Sequence, residues 1–295
     1  MTTTDSTARN APLSGHPAKT VTFPNGLTAS ALGQGTWYLG ENHTTRVEEL
    51  NALQAGMDLG LTLIDTAEMY GNGASELLVG EAIASRRDET FLVSKVLPSN
   101  ASLRGTVDAC KASLKRLDTD RIDLYLLHWR GGYPLSATVE AFENLIQDGL
   151  IRGWGVSNFD TDDMEELLSI PGGSAVQTNQ ILYNLARRGP EFDLIPQSAD
   201  QGMPVMAYSP LDHGELQHHP VVEDLAHNKR ISAAQLAIAW VLRSAPQVFA
   251  VAKASTRPHV VANRAALDVE FSTEELARLD KVFPAPRAAQ PLEML

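Results

Sequence analysis

The sequence predicts a single (β/α)8 barrel, and three observations carry that reading. Short apolar runs of strand character alternate with segments of helical period eight times along 295 residues, a length routine for one barrel. Strands separated by helices join through right-handed crossovers into a parallel sheet, and eight units favour closure over an open sheet. No linker rich in proline, glycine or serine divides residues 20–295, which read as one domain behind a loose tail at 1–19. The competing open nucleotide-binding sheet lacks its fingerprint. Gly33-Gln34-Gly35 and Gly71-Asn72-Gly73 both miss the third glycine of GxGxxG, and no P-loop sequence occurs.

The elements follow in order. A short N-terminal β-hairpin about Pro24-Asn25-Gly26 leads into the first barrel strand, near 31–36. Thr45 and Glu48 have capping-box spacing, and Val47, Leu50, Leu53 and Met57 recur at helical period until Gly60 ends that helix. Strand 61–66, a helix near 75–86 and strand 91–96 come next. Leu103, Val107, Cys110, Leu114 and Leu117 mark one face of a helix ahead of the almost wholly apolar strand 122–128. Val139, Phe142, Leu145 and Ile146 mark another, closed by Gly149 before strand 152–157. Asp160 is placed to cap the following helix, with acidic residues in its first turn. Strands at 175–179, 204–208 and 248–252 complete the eight, and a last helix covers about 273–282.

Composition narrows the function. Hydrophobic residues make up 43% and charged residues 20%, which suits a globular chain with a sizeable core. The net charge of −12 speaks against nucleic acid as a partner, because phosphate backbones demand clustered Lys and Arg. No run approaches the roughly 18 apolar residues of a membrane span, so no membrane partner is expected. The polar first twenty residues lack the apolar core of a secretory signal. Cys110 stands alone, so no intrachain disulfide forms, and a reducing, cytoplasmic location is expected. His218-His219 has no third ligand at convincing spacing, and no metal is expected. Without an exposed heptad run or long apolar stripe, the chain is expected to be a monomer.

In a barrel, chemistry gathers at the C-terminal ends of the strands. Asp65 ends the second strand, Lys95 the third and His128 the fourth. Ser157-Asn158, Asn179-Gln180, Tyr208-Ser209 and Lys253 end the fifth to the eighth, and Tyr70 follows Asp65 on the adjoining loop. Taken singly, Tyr70 reads as packing, Asp65 with Lys95 as a structural ion pair, and His128 as a core histidine. Packing does not explain all of them together, since buried charge is costly unless paired.

These residues sit in motifs that resemble the aldo-keto reductase family. They are GLTLIDTAEMYGNGASELLVGEAI (60–83), VSKV around Lys95, IDLYLLHW ending at His128-Trp129, GWGVSNF (153–159), TNQILYN (178–184), AYSPL (207–211) and AKASTRPHVVAN (252–263). The likeness covers about 20–285 in the family's order. It implies reduction of aldehydes and ketones, with NADPH as cofactor, NADH possible, and a small carbonyl compound as partner. On that reading Tyr70 is the general acid. A phenol of pKa about 10 is a poor donor at neutral pH, and Lys95 beside it is expected to lower that value. Asp65 holds Lys95 by a charge-assisted bond, and His128 orients the carbonyl oxygen as a neutral imidazole.

The resemblance also implies the cofactor contacts. Gly35, Thr36 and Trp37 match the turn near the nicotinamide ribose, with Asp65 beside it. Ser157, Asn158 and Gln180 match the residues that hold the carboxamide, and Tyr208 the ring that stacks on nicotinamide. Ser209, Pro210 and Leu211 begin the loop over the pyrophosphate. Lys253, Ser255, Thr256, His259 and Asn263 match the pocket for the adenosine 2′-phosphate and adenine. The family often has Arg where this chain has His259. Imidazole is mostly neutral near pH 7, so the NADPH preference, resting on Lys253 with help from Arg257, is expected to be less strict. Trp37, Tyr70, His128 and Trp129, with Tyr38, are expected to line the substrate site.

Only RGGYPLS follows Trp129 before the next helix, and about a dozen residues follow the last one. Such short loops predict an open, shallow site for small activated aldehydes such as methylglyoxal, or for aldoses. The likeness to bacterial members with GTWYLGE and DTAEMY points the same way. Two rivals stand beside this reading: a regulatory, binding-only relative, and a barrel lyase that forms a Schiff base on Lys95.

Overall fold

The computed structural model describes residues 19–295. The expected N-terminal tail lies, but for Lys19, outside the described residues. Thr20–Thr22 (β1) and Thr28–Ser30 (β2) pair antiparallel as the expected hairpin, with Gly26 at φ 83°, a left-handed turn position that glycine adopts without strain.

Eight strands follow: Leu32–Gly35 (β3), Leu63–Asp65 (β4), Phe91–Val96 (β5), Leu124–Leu127 (β6), Trp154–Ser157 (β7), Asn179–Leu182 (β8), Val205–Tyr208 (β9) and Val248–Lys253 (β10). All are parallel to their neighbours, and they close into a barrel in the order β10-β3-β4-β5-β6-β7-β8-β9. Around them lie Arg46–Asp58 (α1), Ala74–Ile83 (α2), Leu103–Leu117 (α3), Leu135–Gln147 (α4) and Thr161–Ser169 (α5). Leu194–Asp200 (α6), Pro220–Lys229 (α7), Ala233–Leu242 (α8), Arg257–Ala265 (α9) and Thr273–Val282 (α10) complete the ring. No helix among the described residues is long and apolar enough to cross a membrane.

Two apolar clusters hold this together. The larger fills the space between strands and helices. The smaller joins Val21 and Phe23 of the hairpin to Leu63, Phe91, Leu124 and Phe249, which lie early in their strands. Phe23 stacks on Phe91 at 5.2 Å and meets Phe249 edge-on at 5.7 Å. Full burial of such a side chain contributes about 1.5–3 kcal/mol. The hairpin therefore stoppers the N-terminal end and leaves the C-terminal end for chemistry.

Three local expectations are corrected. The capping box at Thr45 and Glu48 does not form. Thr45 is in helical conformation and donates instead to Glu49 Oε1 at 2.8 Å, while Glu49 Oε2 accepts from the Gly40 amide at 2.8 Å. With Glu49 drawn toward the loop after β3, Ala52, Leu53 and Met57 turn inward and Val47 is left 69% exposed. Ile146, in the last turn of α4, is likewise exposed. By contrast, Gly60 closes α1 and Asp160 caps α5, in a full capping box with Asp163, as the sequence predicts.

The sixth barrel strand begins at Asn179 rather than ending there, after a helical turn at Gly173–Ala175. Register explains why this costs the site nothing. A closed barrel is sheared, so Gln180, early in β8, pairs with Ser157 at the very end of β7. Gln180 still reaches the C-terminal face.

Candidate active site

The strands open at that face onto a cavity of about 370 Å³. Asp65 ends β4 and Lys95 is the penultimate residue of β5, so neighbouring strands bring the two together. Lys95 is fully buried. Its Nζ donates to both Asp65 oxygens at 2.8 and 2.9 Å, to the Thr66 carbonyl at 2.9 Å and to Tyr70 Oη at 3.2 Å. Gln180 donates to Asp65 Oδ1 across the barrel at 2.9 Å. Thr36, expected at the cofactor, borders the cavity but commits its hydroxyl to the Asp65 carbonyl at 2.9 Å, and Ser75 donates to that hydroxyl in turn. The strand end that carries Asp65 is pinned from both sides.

Tyr70 opens a helical turn, Tyr70–Gly73, in which Gly71, Asn72 and Gly73 all have positive φ. That tight turn before α2 aims the phenol at Lys95. The two groups then settle each other's protons. Burial raises the Tyr70 phenol above its ordinary 10; Lys95 pulls it down, and Asp65 pushes it up again. Lys95 does lower it, as expected, but the net shift is upward, because desolvation outweighs the single cation. Burial alone would lower Lys95, but Asp65 and Tyr70 more than reverse this, and it ends above its ordinary value. Both protons are therefore held at neutral pH.

His128 follows β6 directly and meets the Tyr70 ring edge-on at 5.8 Å. Burial, aided by Lys95, lowers its pKa to about 2, so the imidazole is neutral, as expected. Its Nδ1 is buried without a hydrogen-bond partner. Trp129 packs beside it at 5.0 Å, and Trp37 lies 6.3 Å from the Tyr70 ring.

Most of the expected cofactor residues border the same cavity: Gly35 and Trp37, Ser157, Asn158 and Gln180, Tyr208 to Leu211, and Lys253. Asn158, at φ 58°, donates to the His128 carbonyl and to Ser157 Oγ, both at 3.1 Å, and accepts from Tyr208 at 2.8 Å. Burial pushes the Tyr208 phenol up to about 12, against a backbone hydrogen bond from Leu295. Lys253 ends β10 exposed, its Nζ 5.5 Å over the Tyr38 ring, which stacks on Trp37 at 4.7 Å.

Ser255, Thr256, His259 and Asn263 do not border the cavity. They lie just beyond Lys253, at and within α9, whose N-terminus carries no side-chain cap. These residues fit an elongated dinucleotide. Tyr208 offers a ring to stack on, Asn158 and Gln180 offer amides, and the uncapped helix end beside Lys253 suits a phosphate.

Sequence reasoning missed several wall residues: Met69, His213, Gly214 and Gln217, with Met294 and Leu295. The last two, each about half exposed, add a wall that the short-loop reading did not foresee, because the segment after α10 returns to the rim of the cavity. Its signal was the apolar LEML run closing an otherwise polar, proline-rich stretch. His219 is the N-cap of α7, its Nδ1 accepting from the Val221 amide at 3.3 Å.

This barrel and site correspond to a known class: the model of the Aldo/keto reductase family matches residues 31–283. The chain belongs to the aldo/keto reductase family and is an oxidoreductase of that class. It is 51% identical over 282 residues to methylglyoxal reductase YeaE of Escherichia coli (strain K12), covering 94% of this chain and 99% of that protein. It is 31% identical over 261 residues to a glyoxal reductase of Bacillus subtilis (strain 168), covering 88% and 91%. A crystal structure of an aldo/keto reductase from Klebsiella pneumoniae, in complex with NADP and acetate, superposes with a TM-score of 0.92 at 49% identity, covering 94% and 100%. A second structure from that organism, in complex with NADPH, also gives 0.92, at 48% identity and 94% and 99% coverage.

Proposed function

We propose that this chain reduces small aldehydes and ketones, methylglyoxal foremost, with NADPH as reductant and Tyr70 as proton donor. The observation that carries the reading is the buried chain of contacts from Asp65 through Lys95 to Tyr70, facing a neutral His128. NADPH bound along the cleft would supply the hydride. Tyr70 then gives its phenolic proton to the carbonyl oxygen, where negative charge develops. The phenolate left behind lies 3.2 Å from an ammonium that Asp65 holds in place, so the charge is met where it forms. His128 is neutral and orients the carbonyl oxygen. Ser157, Asn158, Gln180 and Tyr208 hold the nicotinamide end, and Ser209, Pro210 and Leu211 cover the pyrophosphate. Lys253, Ser255, Thr256, His259 and Asn263 receive the adenosine end, with NADH accepted less well. Lys95, kept as an ammonium whose three N–H groups are shared among four oxygens, has no lone pair for a Schiff base, which speaks against the lyase reading.

The test follows NADPH and NADH absorbance on adding methylglyoxal and a panel of aldehydes, with Tyr70→Phe in parallel. Oxidation that depends on substrate and collapses in the variant is the expected result. Tight NADPH binding without oxidation of any panel member would favour a binding-only protein instead.

A further inference from the structure

We propose that Arg187 is a positioning residue that ties the loop over the cofactor to the C-terminal segment walling the carbonyl end of the cleft, so that cofactor release and substrate affinity are set together. This rests on reading the cleft as an NADPH site.

The loop after β9 is unusual in its backbone. Ser209, Asp212 and His213 have φ of 51°, 48° and 55°, and Gly214 has 98°. Three side-chain-bearing residues in the left-handed region persist only where neighbours hold them there. The neighbours come from the β8 loop. Asn184 donates to the Ser209 carbonyl at 2.9 Å, and its own Oδ1 accepts from the Ala186 and Arg187 amides, which shapes the turn presenting Arg187. Arg187 Nε then reaches Asp212 Oδ1 at 3.3 Å. Asp212 is buried, so without Arg187 its carboxylate would be left without a cationic partner. On the far side His213 meets Trp37 at 5.9 Å, so the loop spans the cleft from one rim to the other.

The same guanidinium has a second partner. Arg187 Nη1 donates to Glu293 Oε1 at 2.6 Å. Around that anchor Leu292 packs on the core, Met294 and Leu295 wall the cavity, and the Leu295 backbone reaches the Tyr208 hydroxyl. One side chain thus joins a strained loop at the expected pyrophosphate to the segment lying over the expected nicotinamide. Opening either element for NADPH to leave loosens the other.

The experiment compares Arg187→Gln, Glu293→Gln and the double variant with the unaltered full chain. NADPH release is followed by stopped-flow fluorescence, KM for methylglyoxal at saturating NADPH, and hydride transfer in a single turnover. Exposed ion pairs are worth a few-fold each, and Asp212 adds the cost of a buried charge, so Arg187→Gln should speed release about threefold to tenfold. KM should rise with it while single-turnover transfer stays unchanged, a split that general loss of structure would not produce. Glu293→Gln, on a half-exposed side chain that folding tolerates, should speed release about twofold alone and not at all when Arg187 is already Gln. Release unchanged in Arg187→Gln, or a Glu293→Gln effect undiminished in the double variant, would overturn the coupling. An unaltered chain that does not bind NADPH brings down the proposed function, and the coupling with it.

Discussion

The two ends of the cleft hold their lysines in opposite ways. Lys95 is sealed from solvent, with three acidic or carbonyl oxygens and a phenol around its ammonium. Lys253, at the end of β10, is exposed, its ammonium lying over the face of Tyr38. A buried charge without partners would not be tolerated, so the Tyr70 end must be assembled before any ligand arrives. An exposed lysine has water, and its counter-charge can come with the cofactor. On the proposed function, chemistry is preorganised at one end and recognition is left to the ligand at the other.

The largest expected effect lies at the sealed end. Tyr70→Phe removes the proposed proton donor but little volume, and kcat/KM for methylglyoxal should fall about a thousandfold while NADPH titration still shows binding. Next, Lys95→Met strands the Asp65 carboxylate, which should cost about 3–5 kcal/mol of stability in urea denaturation. Pairing it with Asp65→Asn should recover most of that loss. If the double variant were no more stable than Lys95→Met alone, the claim that charge pairing organises this end would fail.

His128 gives a pH signature of the same sealing. Its folded pKa of about 2 lies below the unfolded value near 6.5, so between those values the unfolded chain binds the extra proton. Stability from this group is complete above about pH 6.5 and is lost as pH falls toward 2. From pH 7 to 4.5 the loss should be about 2–3 kcal/mol, and His128→Asn should shrink the acid-induced drop by that amount. Equal drops in both proteins would show that His128 is not desolvated.

The smallest effects are expected at the open end. Lys253→Ala should reduce the NADPH-over-NADH ratio of kcat/KM about tenfold, one charge-assisted contact's worth. His259→Arg should raise that ratio about threefold by adding a permanent charge near the uncapped start of α9. A Lys253 effect larger than that of Tyr70→Phe would reverse the comparison.

Much of this was legible in the chain. Alternating apolar runs and helical faces gave the barrel, and polar residues at successive strand ends gave Asp65, Lys95 and His128, because strand neighbours in a parallel barrel are fixed by sequence order. The start of β8 was misplaced, since TNQ and the following ILY are equally compatible with strand and only the shear against β7 decides between them. The Thr45 cap failed because Glu49, one residue past the expected partner, is claimed by the Gly40 amide from a neighbouring loop. Arg187 and His213 left no pattern at all, and Leu295 only the apolar run that ends the chain.

By itself, then, the sequence determined the eight-fold alternation, the face each strand end turns toward chemistry, and which side chains gather around Tyr70. These follow from periodicity and order, which are local. Only the tertiary structure decided that burial outweighs Lys95 in setting the Tyr70 proton, that Thr36 serves Asp65, and that the C-terminal segment walls the cleft through Arg187. Each of these depends on what is excluded from water and on contacts between residues far apart in the chain, and neither is written in any window of neighbouring residues.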